Sequence, residues 1–361
     1  QIKGSKSTFT AGGGWNRYNG KHFGEIPWAA VGVPVKHRWY DLRAHKTDVN
    51  AYTKYTRRVG NGLELFGDVQ YRNVNYDIGG FRNSPTLILN NKYNFVNPKA
   101  GITYTSGNMR MYASYSYAAK EPNRDDFEAG LNQQPRPEKM HDIEAGLERK
   151  VSRFTWSANL FFMKYKDQLV PTGKINDVGA YTRVNIPDSY RAGIELQANA
   201  AVTDWFNASA NIAVSRNKVR NFTAYFDDFD NGGQQPQTFS TADIAFSPDV
   251  VGAASLNFTP IKNGEISLIS KYVSRQYLDN TSDKNRSLDA FFVQDARVSY
   301  SLENKLFKST QLILQVNNVF NNLYEANGYT YSYRSEGKIN SDNYYFPMAG
   351  TNVMVGVNIT L

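Results

Sequence analysis

The sequence predicts an all-β protein, a transmembrane antiparallel β-barrel, on three observations. The last stretch, Thr351–Leu361, alternates without a break. Val353, Val355, Val357, Ile359 and Leu361 fall on one face; Asn352, Met354, Gly356, Asn358 and Thr360 fall on the other. A period of two marks a strand with one apolar and one mostly polar side. The second observation is that this pattern recurs along the chain with little helical pattern between. The third is rhythm. Turns of a few residues alternate with long segments of ~10–30 residues, as in barrels with short turns at one rim and long loops at the other. A soluble sandwich does not separate its loop lengths so regularly.

The elements follow in order. Ile2–Lys6 reads as a polar turn and Ser7–Trp15 as a strand, which Gly12-Gly13-Gly14 breaks; an aromatic, charged segment then runs to His45. Lys46–Arg58 and Leu63–Asp77 are strands about the tight turn Val59-Gly60-Asn61-Gly62, of the Asn-Gly kind that hairpins favour. Tyr93–Thr105 and Met109–Ala118 pair about Ser106-Gly107-Asn108. A long loop, Lys120–Lys139, precedes the pair Met140–Glu148 and Phe154–Lys166, and another precedes Ser189–Val202 and Trp205–Arg216. After an acidic, Gln-rich loop, Asn217–Thr241, come Asp249–Thr259 and Glu265–Tyr277. Asp289–Leu302, Thr310–Phe320, a Tyr/Asn-rich loop Asn321–Tyr345 and the closing strand complete roughly fourteen strands, the even number that bacterial single-chain barrels require.

Composition agrees. No apolar run approaches the ~18 residues of a spanning helix. A negative mean hydropathy of -0.55 still fits a barrel, which shows lipid only alternate residues. The 24 Tyr, 21 Phe and 5 Trp suit aromatic girdles at two interfaces. With no Cys, disulfides and thiolate metal sites are excluded. The net charge of +8 is spread along the chain and suggests a preference for anionic ligands or lipid headgroups. There is no nucleic-acid motif and no cofactor motif. Neither a G-x-S-x-G elbow nor an H-E-x-x-H zinc pair appears, so no enzyme and no catalytic residue is expected. His37 with Asp41 reads as a loop hydrogen bond.

Several stretches, in order and at consistent spacing, carry a family resemblance. They are GGGWNRYNGKHFG at Gly12–Gly24, FVNPKAG at Phe95–Gly101, YAAKEPNRDDF at Tyr117–Phe127 and RPEKMHDIEAGL at Arg136–Leu147. DSYRAGIEL at Asp188–Leu196, KYVSRQYLDNT at Lys271–Thr281, VNNVFNNLY at Val316–Tyr324 and the final strand continue them. The chain resembles the C-terminal half of a TonB-dependent outer-membrane receptor of the iron-complex type common in Bacteroidetes. It departs from the family in ending on Leu361 rather than Phe and in lacking a plug and a TonB box. The resemblance implies that residues 1–361 are a barrel segment, the later strands of a 22-stranded barrel. The N-terminal part of the receptor would then lie elsewhere, and the chain, which begins at Gln1, is processed or a fragment.

The same resemblance implies a bacterial outer-membrane active transporter that imports a scarce nutrient, an iron–siderophore type of complex. Its partners would be the TonB complex acting through a plug not in this chain, the lipid bilayer, lipopolysaccharide and a small-molecule ligand. A passive porin or fatty-acid-type channel of about fourteen strands is the alternative, and haem, cobalamin or oligosaccharide uptake uses the same fold. Aromatic and cationic side chains stack on and charge-match an iron chelate, which makes Trp15, Arg17, Tyr18, His22, Trp28, His37 and Trp39 candidate ligand residues. Arg124, Tyr329, Tyr331 and Arg334 are further candidates at the mouth, although Arg124-Asp125-Asp126 also reads as a loop salt bridge. The family's haem box, Phe-Arg-Ala-Pro, is absent: the equivalent place reads Ala119-Lys120-Glu121-Pro122-Asn123-Arg124. No resident metal is expected.

Overall fold

The computed structural model describes residues 1–82, 84–129, 134–175, 181–303 and 307–360. The chain opens with β1 (Ile2–Lys3), β2 (Ser7–Ile26), β3 (His37–Arg58), β4 (Leu63–Gly79), β5 (Ile88–Ser106) and β6 (Met109–Lys120). A single turn of helix, α1 (Arg124–Ala129), precedes β7 (Glu138–Val151) and β8 (Phe154–Lys166). Then come β9 (Gln168–Ile175), β10 (Tyr181–Ile186), β11 (Asp188–Ala201), β12 (Phe206–Asp228) and β13 (Gln234–Asp243). β14 (Val250–Ile261), β15 (Gly264–Val273), β16 (Gln276–Tyr277), β17 (Ser287–Leu288) and β18 (Phe291–Leu302) follow. β19 (Ser309–Asn317), β20 (Glu325–Ser335), β21 (Lys338–Pro347) and β22 (Asn352–Thr360) end the described chain, so the expected last strand residue, Leu361, lies outside it.

Among the described residues fourteen strands form one continuous antiparallel wall: β2 to β8, then β11, β12, β14, β15, β18, β19 and β22. Apart from β1, which pairs with the start of β2, the strands skipped by the wall lie in the segments that join strands at the long-loop rim: the β9–β10 hairpin, β13, the β16–β17 pair and the β20–β21 hairpin. Register keeps like with like. Phe162, Leu160 and Ala158 stand opposite Ala192, Ile194 and Leu196, which stand opposite Arg216, Val214 and Ile212 on the next strand. A one-residue slip would invert both faces, so the alternation itself pins the pairing.

One face of this wall is an apolar band open to the surroundings. Leu160 is 56% exposed, Val355 80% and Val298 45%. Water does not tolerate so continuous an exposed band; hydrocarbon does. The other face is polar, with Asn159 donating to Glu195 across β8 and β11. It also carries four rings laid over cross-strand glycines: Tyr52 over Gly12, Phe66 over Gly101, Tyr112 over Gly146 and Phe161 over Gly193. A Cβ at any of these glycines would collide with the ring above it. The sidedness gives a direct test. Leu196→Arg is expected to destabilise the barrel by ~2–4 kcal/mol as a midplane lipid-facing cation, and Glu195→Arg, next door on the inner face, by much less. Equal costs in urea titrations in lipid would overturn the facing.

The buried apolar cores sit beyond the band, at the long-loop rim. Ala44, Val74, Tyr76, Ile78, Phe81, Leu89, Phe95, Ala119 and Phe127 form one cluster, which packs α1 and the segment after β4 against the inner face. Val170, Ile186, Val219, Ala242 and Ile244 form another beneath the β9–β10 hairpin.

Three expected breaks are strand instead. β2 does not stop at Gly12-Gly13-Gly14; it pairs with β3 up to Ile26, because Tyr52 supplies over Gly12 the packing a side chain would otherwise give. Only residues 27–36 connect the two. Much of Asn217–Thr241 continues β12 and turns back as β13, with Phe222 opposite Phe239 and Thr223 opposite Thr238. Most of Asn321–Tyr345 is the β20–β21 hairpin, with Tyr329 stacked on Tyr344.

Candidate functional site

β2 and β3 rise well beyond the apolar band, and their inner faces meet α1. Tyr18, Gly20 and His22 share the inner face of β2, two residues apart, so their side chains point the same way. The Tyr18 hydroxyl and His22 Nε2 both lie over the bare Gly20, where a Cβ would clash with each. His22 Nε2 is shielded from solvent and has no hydrogen-bond partner among the described residues. Burial first, and then the charge of Arg124, holds the His22 imidazole below its ordinary pKa. It is therefore neutral at neutral pH, with a ring nitrogen free to accept or ligate.

Arg124 opens α1. Its guanidinium lies 4.7 Å from the centre of the buried Phe81 ring, and its Nε is shielded and unbonded among the described residues. Asp125, the acid expected to satisfy it, is 4.0 Å away, the limit of an ion pair. The helix turn is held from below. Glu121, 4% exposed, takes Lys46 at 2.9 Å on one oxygen and Arg72 at 2.7 Å on the other. Arg72 also reaches Asp48 at 2.5 Å. Asp126 receives Arg183 at 2.8 Å and caps the turn by accepting the Asn123 N–H at 2.7 Å, the reciprocal half of a capping box. So the loop acids are consumed internally, Asp126 most of all, while Arg124 keeps donor capacity toward His22.

The structure thus brings Tyr18, His22 and Arg124 together. Trp15 and Arg17 stand on the opposite face of β2, in line with Phe9 and across from Val49 and Thr47. Arg17 donates to Asn19, which also bonds His45 at 2.7 Å. Trp28 is exposed in the 27–36 connection, and His37 begins β3. Trp39 packs edge-on against Tyr40 and lies beneath Arg82, 5.2 Å from its guanidinium. Arg38, rather than His37, bonds Asp41, at 2.7 Å. Tyr329 and Tyr331 share one face of β20, and Arg334 falls on the other. Tyr331 donates to Asp227 at 2.5 Å and stacks on Tyr333, and Arg334 Nε is shielded without a hydrogen bond among the described residues. Sequence reading missed Lys46, Asp48, Arg72, Glu121 and Phe81. Its available signal was the charge at inner-face positions of β3 and β4, where Lys46, Asp48 and Arg72 fall.

A polar inner face with an apolar outer band defines the wall of a membrane-spanning β-barrel. The chain belongs to the TonB dependent receptor-like β-barrel family, whose sequence pattern matches residues 2–319. It is therefore a protein of the outer membrane of Gram-negative bacteria, in a family of receptors and transporters rather than enzymes. No curated protein matches it by sequence. By structure it is similar to the ferric-catecholate import receptor Fiu from E. coli K12, with 16% identity, a TM-score of 0.67, and 98% of this chain and 52% of that one covered. The siderophore receptor PiuA from Acinetobacter baumannii gives 16% identity and 0.68 over 98% and 53%. The copper transporter OprC gives 13% and 0.72 over 99% and 54%. The chain spans about half the length of these solved proteins.

Proposed function

We propose that this chain supplies the later strands of a TonB-dependent active transporter, and that the receptor captures an anionic iron chelate of the siderophore type at Tyr18, His22 and Arg124. The plug and the earlier strands belong to a preceding part of the same receptor or to a companion polypeptide, and TonB acts through that plug. The observation that carries the reading is the unbonded Arg124 Nε beside the neutral His22 on a rigidly tethered turn. A preorganised guanidinium pairs with chelate oxygens, and flanking aromatic faces cover the complex. That similar structures include receptors named for ferric catecholate and siderophore uptake supports the ligand class. Trp39 and, on one face of β20, Tyr329 and Tyr331 are further candidate contacts; Arg334 falls on the other face of that strand.

The test uses the full-length receptor and a ferric tris-catecholate probe. Arg124→Ala with His22→Ala is expected to weaken binding by about 1.5–3 kcal/mol, roughly 10- to 100-fold, as loss of charge-assisted hydrogen bonds does. The amount of folded barrel should not change. Trp15→Ala with Arg17→Ala, on the outer face, forms the comparison. Wild-type affinity in the first pair overturns this site, and a loss confined to the second moves it to the outer face.

A further inference from the structure

We propose that Tyr18 and His22 bond to the metal itself, so that the site takes a ferric chelate with two coordination positions open rather than one that fills them all. The inference rests on the capture site proposed above and adds what its ligand must look like. Tyr18 and His22 flank Gly20 on β2, and residues two apart on a strand share a face. The Tyr18 hydroxyl oxygen lies 2.6 Å, and His22 Nε2 2.8 Å, from the point where a Gly20 Cβ would stand. Two donor atoms thus converge on one small volume, and any side chain at residue 20 would drive them apart. The Nε2 atom is shielded and has no hydrogen-bond partner among the described residues, whereas Tyr18 is 54% exposed. A chelate in the lumen meets the Tyr18 hydroxyl first, and a turn of that half-exposed ring opens the nitrogen to it.

The donor types suit iron. Imidazole ligates iron among other first-row metals, and tyrosine oxygen ligates iron in some haem proteins. On binding, two waters leave the ferric ion. The Tyr18 oxygen gives its proton to solvent and bonds as phenolate, and the His22 Nε2 lone pair fills the second position. Iron stays ferric, so the step needs no oxidant or reductant.

This pair cannot take a metal by itself. Among the described residues no group of three or more His, Cys, Asp or Glu could hold a metal ion. On β3 the residues opposite Tyr18, Gly20 and His22 are Lys46, Ala44 and Leu42, which add no donor. The nearby acids are engaged, Glu121 by Lys46 and Arg72 and Asp126 by Arg183. The chelate therefore supplies the remaining donors. Its anionic groups turn toward Arg124, whose Nε has no hydrogen-bond partner among the described residues. A saturated chelate is held there by charge, and one with two open positions gains two bonds as well.

The test uses the full-length receptor and ferric nitrilotriacetate, a chelate without phenolate donors that leaves two positions to water. Binding is expected to raise a visible phenolate-to-iron charge-transfer band that the chelate alone lacks. Tyr18→Phe should abolish the band and weaken binding roughly tenfold or more, since even outer-shell partners of a metal ligand are worth about 10–100-fold. His22→Gln should shift the band and weaken binding, and both variants should keep the gel-mobility shift of the folded barrel. Tyr18→Phe should cost ferric tris-catecholate, which has no open position, far less. Binding of ferric nitrilotriacetate without the band, no binding of it at all, a band that survives Tyr18→Phe, or equal losses for the two probes overturns the ligation. The anionic capture fails by a separate result, wild-type affinity for the tris-catecholate in Arg124→Ala with His22→Ala.

Discussion

Replacing Arg72 by methionine is expected to cost about 3–5 kcal/mol, the loss seen when one partner of a buried ion pair is removed. Arg72 projects from β4 on the inner face and holds two carboxylates at once, Asp48 on β3 and Glu121 after β6. Its side chain is 22% exposed, Asp48's 11% and Glu121's 4%, so solvent screens the network weakly. Methionine fills the space but leaves Asp48 unpaired and Glu121 with Lys46 alone. An uncompensated buried carboxylate, not the missing attraction, supplies most of the loss. Adding Glu121→Gln to Arg72→Met should therefore recover part of it. The loss should appear in urea unfolding and as faster hydrogen exchange over residues 121–129, since Glu121 anchors that turn. A cost under ~1 kcal/mol, or no recovery in the double variant, would show that the network does not tether α1.

Acid should act on the same anchor. Burial raises the Glu121 pKa, but hydrogen bonds from Lys46, the backbone and Arg72 outweigh it and hold the carboxyl below its ordinary value. A group depressed in the folded state contributes stability that is complete above its unfolded pKa and is lost as pH falls through the folded one. Exchange protection of α1 should thus persist through the ordinary glutamate range and fail only in stronger acid. In Arg72→Met the failure should move to higher pH.

The wall was legible in the sequence and the site only in pieces, for one physical reason. Strand faces obey a local period of two, so Phe154 to Phe162 or Val353 to Ile359 declare their side without reference to the rest of the chain. Where strands end is set by partners instead. Gly12-Gly13-Gly14 looks like a break because glycine lacks packing of its own, and nothing nearby in sequence announces that Tyr52 covers Gly12. The site depends on similarly distant meetings. His22 and Arg124 are a hundred residues apart in the chain and interact through α1, which sequence reading left as loop. Arg17, one position from the inward-facing Asn16 and Tyr18, has the right chemistry and the opposite face.

Residues 1–361 on their own are expected not to form a closed, heat-resistant barrel. Among the described residues β22 pairs only with β19, and β2 only with β3 and, at Thr8 and Phe9, with β1. No pairing joins β2 to β22 among them, so each strand presents a free edge. Roughly half the backbone N–H and C=O groups of an edge strand point away from its partner. Water satisfies those groups, but hydrocarbon does not, and each unsatisfied group there costs several kcal/mol. Val353, Val355, Val357 and Ile359 continue the apolar band of Leu312 and Leu314, so this edge lies at membrane depth. On the reading proposed above, a complementary set of strands pairs with β2 on one side and β22 on the other, and a 22-stranded ring takes about eight beyond the fourteen of this wall. The measurement is to refold residues 1–361 alone and beside the complete receptor, and to compare gel mobility after mild heating together with pore conductance. The complete receptor should give the shifted band, and the isolated chain should not. A stable shifted band with defined conductance from residues 1–361 would mean that β2 and β22 join each other, and would make the chain a self-contained channel of about fourteen strands.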